Sequence, residues 1–315
     1  MSLHEKALLR QLDTDLRALS EIRDARKYPE VKEAAERALL KLRAVHKSLP
    51  ADAGAAQQAS AIASAEEVLV PFMLALASKS DALPQSALGA VQRMIAHNAV
   101  SPARLPTVAS QLIARAQLAT ADDTSLLKVL QTVLTIGSSP ALLQSDQTVS
   151  QLLLLCLTLQ NSRSAVIKNT ASATVQQFVA LLLDAASAEI GGAAEPTPGG
   201  GGGAAEPSPA AAPTPADLAA LSVAARCSFL AVQDLCLQAN GEAPQWLPGS
   251  SGPISVPFAL EVVGRTILSH RALFTSSAPF RYLLRERATS LVLSKMQQPL
   301  QVRDRGLLSI SASLT

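Results

Sequence analysis

The sequence predicts an all-α protein built from antiparallel helix pairs. Three observations carry this. Hydrophobic residues fill 48% of the 315 positions, yet aromatics only 3%, so the core must be aliphatic. Leu and Ala favour helix, and the β-branched and aromatic enrichment of sheets is largely missing. Apolar residues recur at three- and four-residue spacing, with proline, capping residues and glycine where helices begin and end.

The elements follow in chain order. Leu9, Leu12, Leu16 and Leu19 form one helical stripe opposite charged residues. Pro29 then sits in the first turn of a second helix, where a missing N–H costs nothing. Val31, Ala35, Ala38, Leu42 and Val45 continue it, so the two make a hairpin. "LPADAGAAQQAS" reads as a connection, and a third helix is expected over about 61–78, kinked by Pro71 or starting late near Val70. Pro84 opens the next helix, with Leu88, Val91 and Ile95 on one side. Ser101-Pro102 reads as cap and first helical residue of another. Asp122 and Asp123 stand at the start of a helix that Gly137 should end. A helix from Asp146 through Gln160 precedes one over 168–184.

Residues 191–215, "GGAAEPTPGGGGGAAEPSPAAAPTP", hold no large apolar side chain and cannot offset their own ordering entropy. They are expected to be a disordered insertion, whose mean reach of roughly 25–30 Å suffices to rejoin neighbouring helices. Thr214 and Pro215 then start a helix that Asn240-Gly241 stops. A Pro/Gly loop carries the single tryptophan, Trp246. "VPFALEVVGRTILSHRALF" and a last pair from Pro279 close the chain. Helix pairs of about 40 residues suggest an armadillo/HEAT-like superhelical array over 1–315, divided into N-terminal helices over 1–190 and C-terminal helices over 216–315.

The net charge of +2 is too small for a nucleic-acid binder. Residues 1–47 carry 11 Lys and Arg against 8 acids, and residues 261–315 carry 8 against 3. The cluster Arg281, Arg285 and Arg287 after Phe280 is a candidate contact for anionic lipid or an acidic partner. Cys156, Cys227 and Cys236 lie in apolar helical runs and read as core thiols of a reducing compartment. The charged N-terminus is not a signal peptide, and the run Leu152–Leu159 is far short of the roughly 20 residues that span a bilayer.

The helix "KNTASATVQQFVALLLD" is thin at one end and bulky at the other. Ile167, Ala171, Thr174, Phe178 and Leu181 are expected to form its buried face. The small residues would admit a close neighbour, and the bulky ones would fill a widening gap. Polar Lys168, Asn169, Gln176 and Gln177 lie off that face and are a candidate partner surface.

That same helix resembles the Asn-Thr-Ala-x-Ala-Thr-Val helix of the Mon-two family, related to the large Arf guanine-nucleotide exchange factors of the BIG/Sec-seven type. "LRALSEIRDARKYPEVKEAAERALLKLR" (16–43) is similar to that family's opening hairpin. "VPFMLALASKSDALPQSALGAVQRMIAHNAVS" (70–101) and "LLKVLQTVLTI" (126–136) fit as well. The resemblance implies an N-terminal dimerisation and cyclophilin-binding (DCB) domain, an armadillo-like module for self-association and contacts with neighbouring domains. It further implies Golgi and endosome traffic on a peripheral cytoplasmic membrane face, a Dopey-type partner, an Arf-like small GTPase as a candidate partner, and a fragment of a longer protein. No catalytic Sec-seven domain is expected.

The residues point to no enzyme and no cofactor. The four histidines share no i, i+4 spacing suited to zinc, and Cys227 and Cys236 stand about 13–14 Å apart on one helix face. The glycine run at 199–203 lacks the Lys-Ser/Thr of a phosphate loop. A lipid-contacting module with a basic C-terminal face is the alternative to a protein scaffold.

Overall fold

A computed structural model describes residues 7–22, 26–50, 52–80, 82–118, 122–141, 145–192, 212–249, 252 and 254–297. Among them there is no strand. The helices are α1 (Ala7–Ser20), α2 (Pro29–Ser48), α3 (Ala55–Ser64), α4 (Val70–Ala77), α5 (Leu83–Ala96), α6 (Leu105–Gln117), α7 (Asp123–Gly137), α8 (Asp146–Leu159) and α9 (Ala165–Gly192). After the insertion come α10 (Pro215–Ala219), α11 (Val223–Ala239), α12 (Val256–Ser269), α13 (Arg271–Ser276), α14 (Ala278–Tyr282) and α15 (Thr289–Gln297).

Several starts and stops follow their local chemistry. Pro29 opens α2. The Asp122 carboxylate accepts from the Ser125 N–H at 2.9 Å, and the bonds it accepts there hold its carboxyl below the usual aspartate value. Ser145 caps α8 in the same way. Thr214 and Asp217 form a reciprocal capping box at α10. Gly241, at φ +83°, lets Glu242 N–H donate back to Leu237 O at 2.9 Å and close α11.

Other expectations need correction. The Ala/Gln/Ser connection is helical from Ala55, because Ala59 and Ile62 find core to bury in. The chain then bends by 83° at Ala65, while α4 takes the late start at Val70, one of the two expectations, so Pro71 falls in a first turn. Ser101 makes no side-chain cap; a 3-10 turn, Pro102–Arg104, intervenes before α6. Gly137 is the last residue inside α7, not the one beyond it. The helix expected over 214–240 is two, because Ser222 caps a fresh start at Val223. The helix from Pro279 contains a π segment, Leu283–Ala288. Its expected partner near the C-terminus, from residue 298 on, lies outside the described residues, as do residues 193–211 of the insertion expected to be disordered.

The packing forms two rows. α1, α5, α7 and α9 touch in sequence along one, and α2, α4, α6, α8 and α11 along the other. α1 with α2, α4 with α5, α6 with α7, α8 with α9 and α11 with α12 pair across or beside them. Within the first row, α7 and α9 run parallel. Ser164 Oγ donates to Asp123 at 2.6 Å where α9 and α7 begin, and Phe178 meets Gly137 where α7 ends. One buried apolar cluster runs from Leu8 to Leu291. The bent α3–α4 segment is apolar enough in length and composition for a membrane, yet its Ile62, Val68, Phe72 and Leu76 sit in this core; no single described helix qualifies.

Candidate interaction surfaces

Helix α9 is covered by α7, α8 and α11, and so it buries a broad face. Ile167, Ala171, Thr174 and Phe178 are buried. So are Val175, Val179, Leu182 and Leu183, which the single stripe left out. Leu181 is half-buried at the margin. The bulky end does not fill a wide gap. A Cβ placed on Gly137 would stand 2.8 Å from Phe178 Cδ2, so α7 makes room for the ring by having no side chain there.

Of the polar residues proposed on α9, Lys168, Asn169 and Gln177 are exposed and Gln176 is half-buried. They are not one patch. Lys168 and Gln177 are half a turn out of phase at about 100° per residue. The arginine cluster also divides. Arg281 Nη1 donates to Thr275 O at 3.0 Å and Ser276 O at 3.2 Å, capping α13. Arg285, one turn on, is exposed. Arg287 is turned inward beside Cys236, its Nε buried without a partner. Two residues beyond Arg285, it stands about 200° round a regular helix and so off the face of the other two.

Two grooves flank α2. Between α1 and α2 a groove of about 450 Å³ is lined by Leu9, Arg10, Asp13, Thr14, Leu42, Arg43 and His46. Between α2 and α4 a groove of about 570 Å³ is lined by Ala34, Arg37, Leu40, Lys41, Ala44, Glu67 and Val70. Here Leu40 is 66% and Val70 43% exposed. Lys41 pairs with Glu67 at 3.3 Å, and Arg37 with Glu33 at 3.8 Å. The stripe read from spacing in α2 leaves Leu40 out, and Val70 enters the sequence reading only as a helix start.

The thiols are inert by position. Burial pushes Cys156 and Cys236 up to about 12, and raises Cys227 further, with Asp146 adding to it. Ser187 Oγ lies 3.3 Å from His270 Nδ1, and Asp184 Oδ1 lies 3.7 Å from Nε2. Asp184 and Ser187 are one turn apart on α9, so the ring ties the α12–α13 corner to that helix. Among the described residues no group of three or more His, Cys, Asp or Glu could hold a metal.

Paired helices with exposed grooves between them define the class: an all-α domain of packed helix pairs. Residues 3–190 match the family described as DCB: Mon2/Sec7/BIG1-like, dimerisation and cyclophilin-binding domain. The chain belongs to this family. It is 28% identical over 306 residues to the human Protein MON2 homolog, covering 95% of this chain and 16% of that protein. It is 27% identical over 302 residues to the Xenopus laevis Protein MON2 homolog, with coverage of 95% and 16%. The Caenorhabditis elegans Monensin-resistant homolog 2 is 29% identical over 292 residues, 91% of this chain and 17% of that protein. The chain thus spans about a sixth of the length of these relatives. The similarity to them extends past the end of the family match at residue 190.

Proposed function

We propose that residues 1–315 form one non-catalytic interaction domain, stacked as an armadillo/HEAT-like superhelix and interrupted by the insertion at 191–215. Its role is to hold proteins together in Golgi–endosome vesicle traffic on the cytoplasmic membrane face, including a second copy of itself. Family membership supports the trafficking role, and the family's description supports self-association. The observation that carries self-association is the α2–α4 groove. A two-fold interface must complement itself, so its charges must balance. Here exposed Leu40 and Val70 stand among Arg37, Lys41 and Glu67, with each cation already paired to an acid. Light scattering should find the wild-type chain dimeric and Leu40→Glu monomeric, with unchanged helicity because Leu40 faces solvent. A monomeric wild type, or a dimeric variant, overturns this reading.

A Dopey-type protein and an Arf-like small GTPase are the further partners proposed from family resemblance. Capture of GTP-loaded over GDP-loaded Arf-family protein supports the second; equal capture removes it. One observation favours contact with anionic lipid as a second reading. Exposed Arg281 and Arg285 are followed along the same helical run by Val292, Leu293 and Met296, 44%, 51% and 77% exposed. Flotation that depends on anionic lipid and is lost in Met296→Glu supports it; flotation indifferent to lipid charge removes it.

A further inference from the structure

We propose that the groove between α1 and α2 docks an acidic amphipathic peptide segment of another protein, through a carboxylate held between Arg10 and Arg43. Its floor is apolar, formed by Leu9 and Leu42. Its one acid, Asp13, is already engaged by Arg17 at 2.6 Å. The other described acid on the exposed side of α1, Asp15, is engaged by Arg93. Arg10 and Arg43 have no ion-pair partner among the described residues, and both are exposed. Among the described residues the wall charge is therefore a pair of cations beside one acid that is already engaged. A second copy of the same groove would meet it cation against cation, so self-association does not occupy it. The α2–α4 groove, whose charges cancel, lies on the other side of the same helix.

The dimensions select the kind of occupant. Leu9 to Thr14 and Leu42 to His46 each span little more than one helical turn, about 6–8 Å at 1.5 Å per residue. That admits one turn of a guest helix, presenting one carboxylate and one or two apolar side chains. A flat bilayer cannot reach a floor recessed between two helices. Guanidinium forks favour a carboxylate in bidentate geometry, which sets the guest's register.

The test is fluorescence anisotropy with a labelled 12-residue peptide carrying Glu and Leu at helical spacing, titrated with the full chain. Binding is expected to weaken at least tenfold in Arg10→Glu/Arg43→Glu, and likewise when Gln replaces Glu in the peptide. It should be unchanged in Arg281→Glu/Arg285→Glu, which alters charge equally elsewhere, and in Leu40→Glu, which addresses self-association. Arg43→Gln, with circular dichroism as a fold check, should give a partial loss. Equal loss in the two double variants, retained binding of the Gln peptide, or no binding to the wild type overturns the proposal. Displacement of the peptide by phosphatidylserine vesicles, abolished in the Arg10/Arg43 variant, would give the groove to lipid instead.

Discussion

Phe178 and Gly137 show how a single residue sets a helix contact. The ring reaches α7 at the one position where that helix has no Cβ. Gly137 is not there for its backbone, since its φ lies outside the positive region. Gly137→Ala should therefore cost about 1–3 kcal/mol by overpacking. The cost should shrink in a Phe178→Leu background, where the two sites share one space. Ala171→Leu, at a fully buried position of the same helix as Phe178, should also cost about 1–3 kcal/mol. Thermal or urea unfolding of the single and double variants checks both. Additive Gly137 and Phe178 effects, or an unchanged Ala171→Leu midpoint, would contradict this packing. No local pattern announces the pairing, because the partners are far apart in the chain and one of them is an absence of atoms.

At the scale of elements, the loop after α11 is held by one buried carboxylate. Asp234 is wholly buried and accepts from the N–H groups of Gln245, Trp246 and Leu247 at 2.9, 2.9 and 2.8 Å. Gln233 donates to Gln245 at 2.8 Å beside it. Three charge-assisted bonds allow a loop with little apolar content to stay on the core. Asp234→Ala would leave three N–H groups unpaired and should cost about 3 kcal/mol. The single tryptophan, Trp246, reports it directly: its emission should shift to the red in the folded variant. An unchanged spectrum and midpoint would refute the anchoring role. In the sequence Asp234 reads as one polar residue in an apolar helix, and nothing local marks its partners.

Across the whole molecule, the family match and the packing draw different boundaries. The match stops at residue 190, yet α9 is covered from the far side of the insertion by α11 and α12. Arg226 of α11 also forks onto Asp146 of α8, at 2.6 and 3.0 Å. Truncation after Gly192 should uncover the apolar side of α9, lower the melting temperature and raise binding of a hydrophobic dye. A truncated chain as stable as the full one would show that the later helices are an independent unit. The two-row arrangement also explains why α9 buries more than one stripe. A helix touched on three sides has too broad an apolar face for one periodic reading, and so Leu181 lies at the margin while Val175 and Val179 lie inside.

Composition, 3.6-residue periodicity and cap chemistry by themselves determined that this chain is helical and where several helices begin or end; the family resemblance came from the residue order of particular stretches, such as 168–184. Those are local signals, each written within a turn or two of the residues concerned. Tertiary structure alone decided that Ala55–Ser64 is a helix, that α9 buries more than one stripe, and that Leu40 and Val70 line one charge-balanced groove. Each depends on which surfaces face one another after packing. That relation joins residues tens of positions apart, where no short-range pattern reaches.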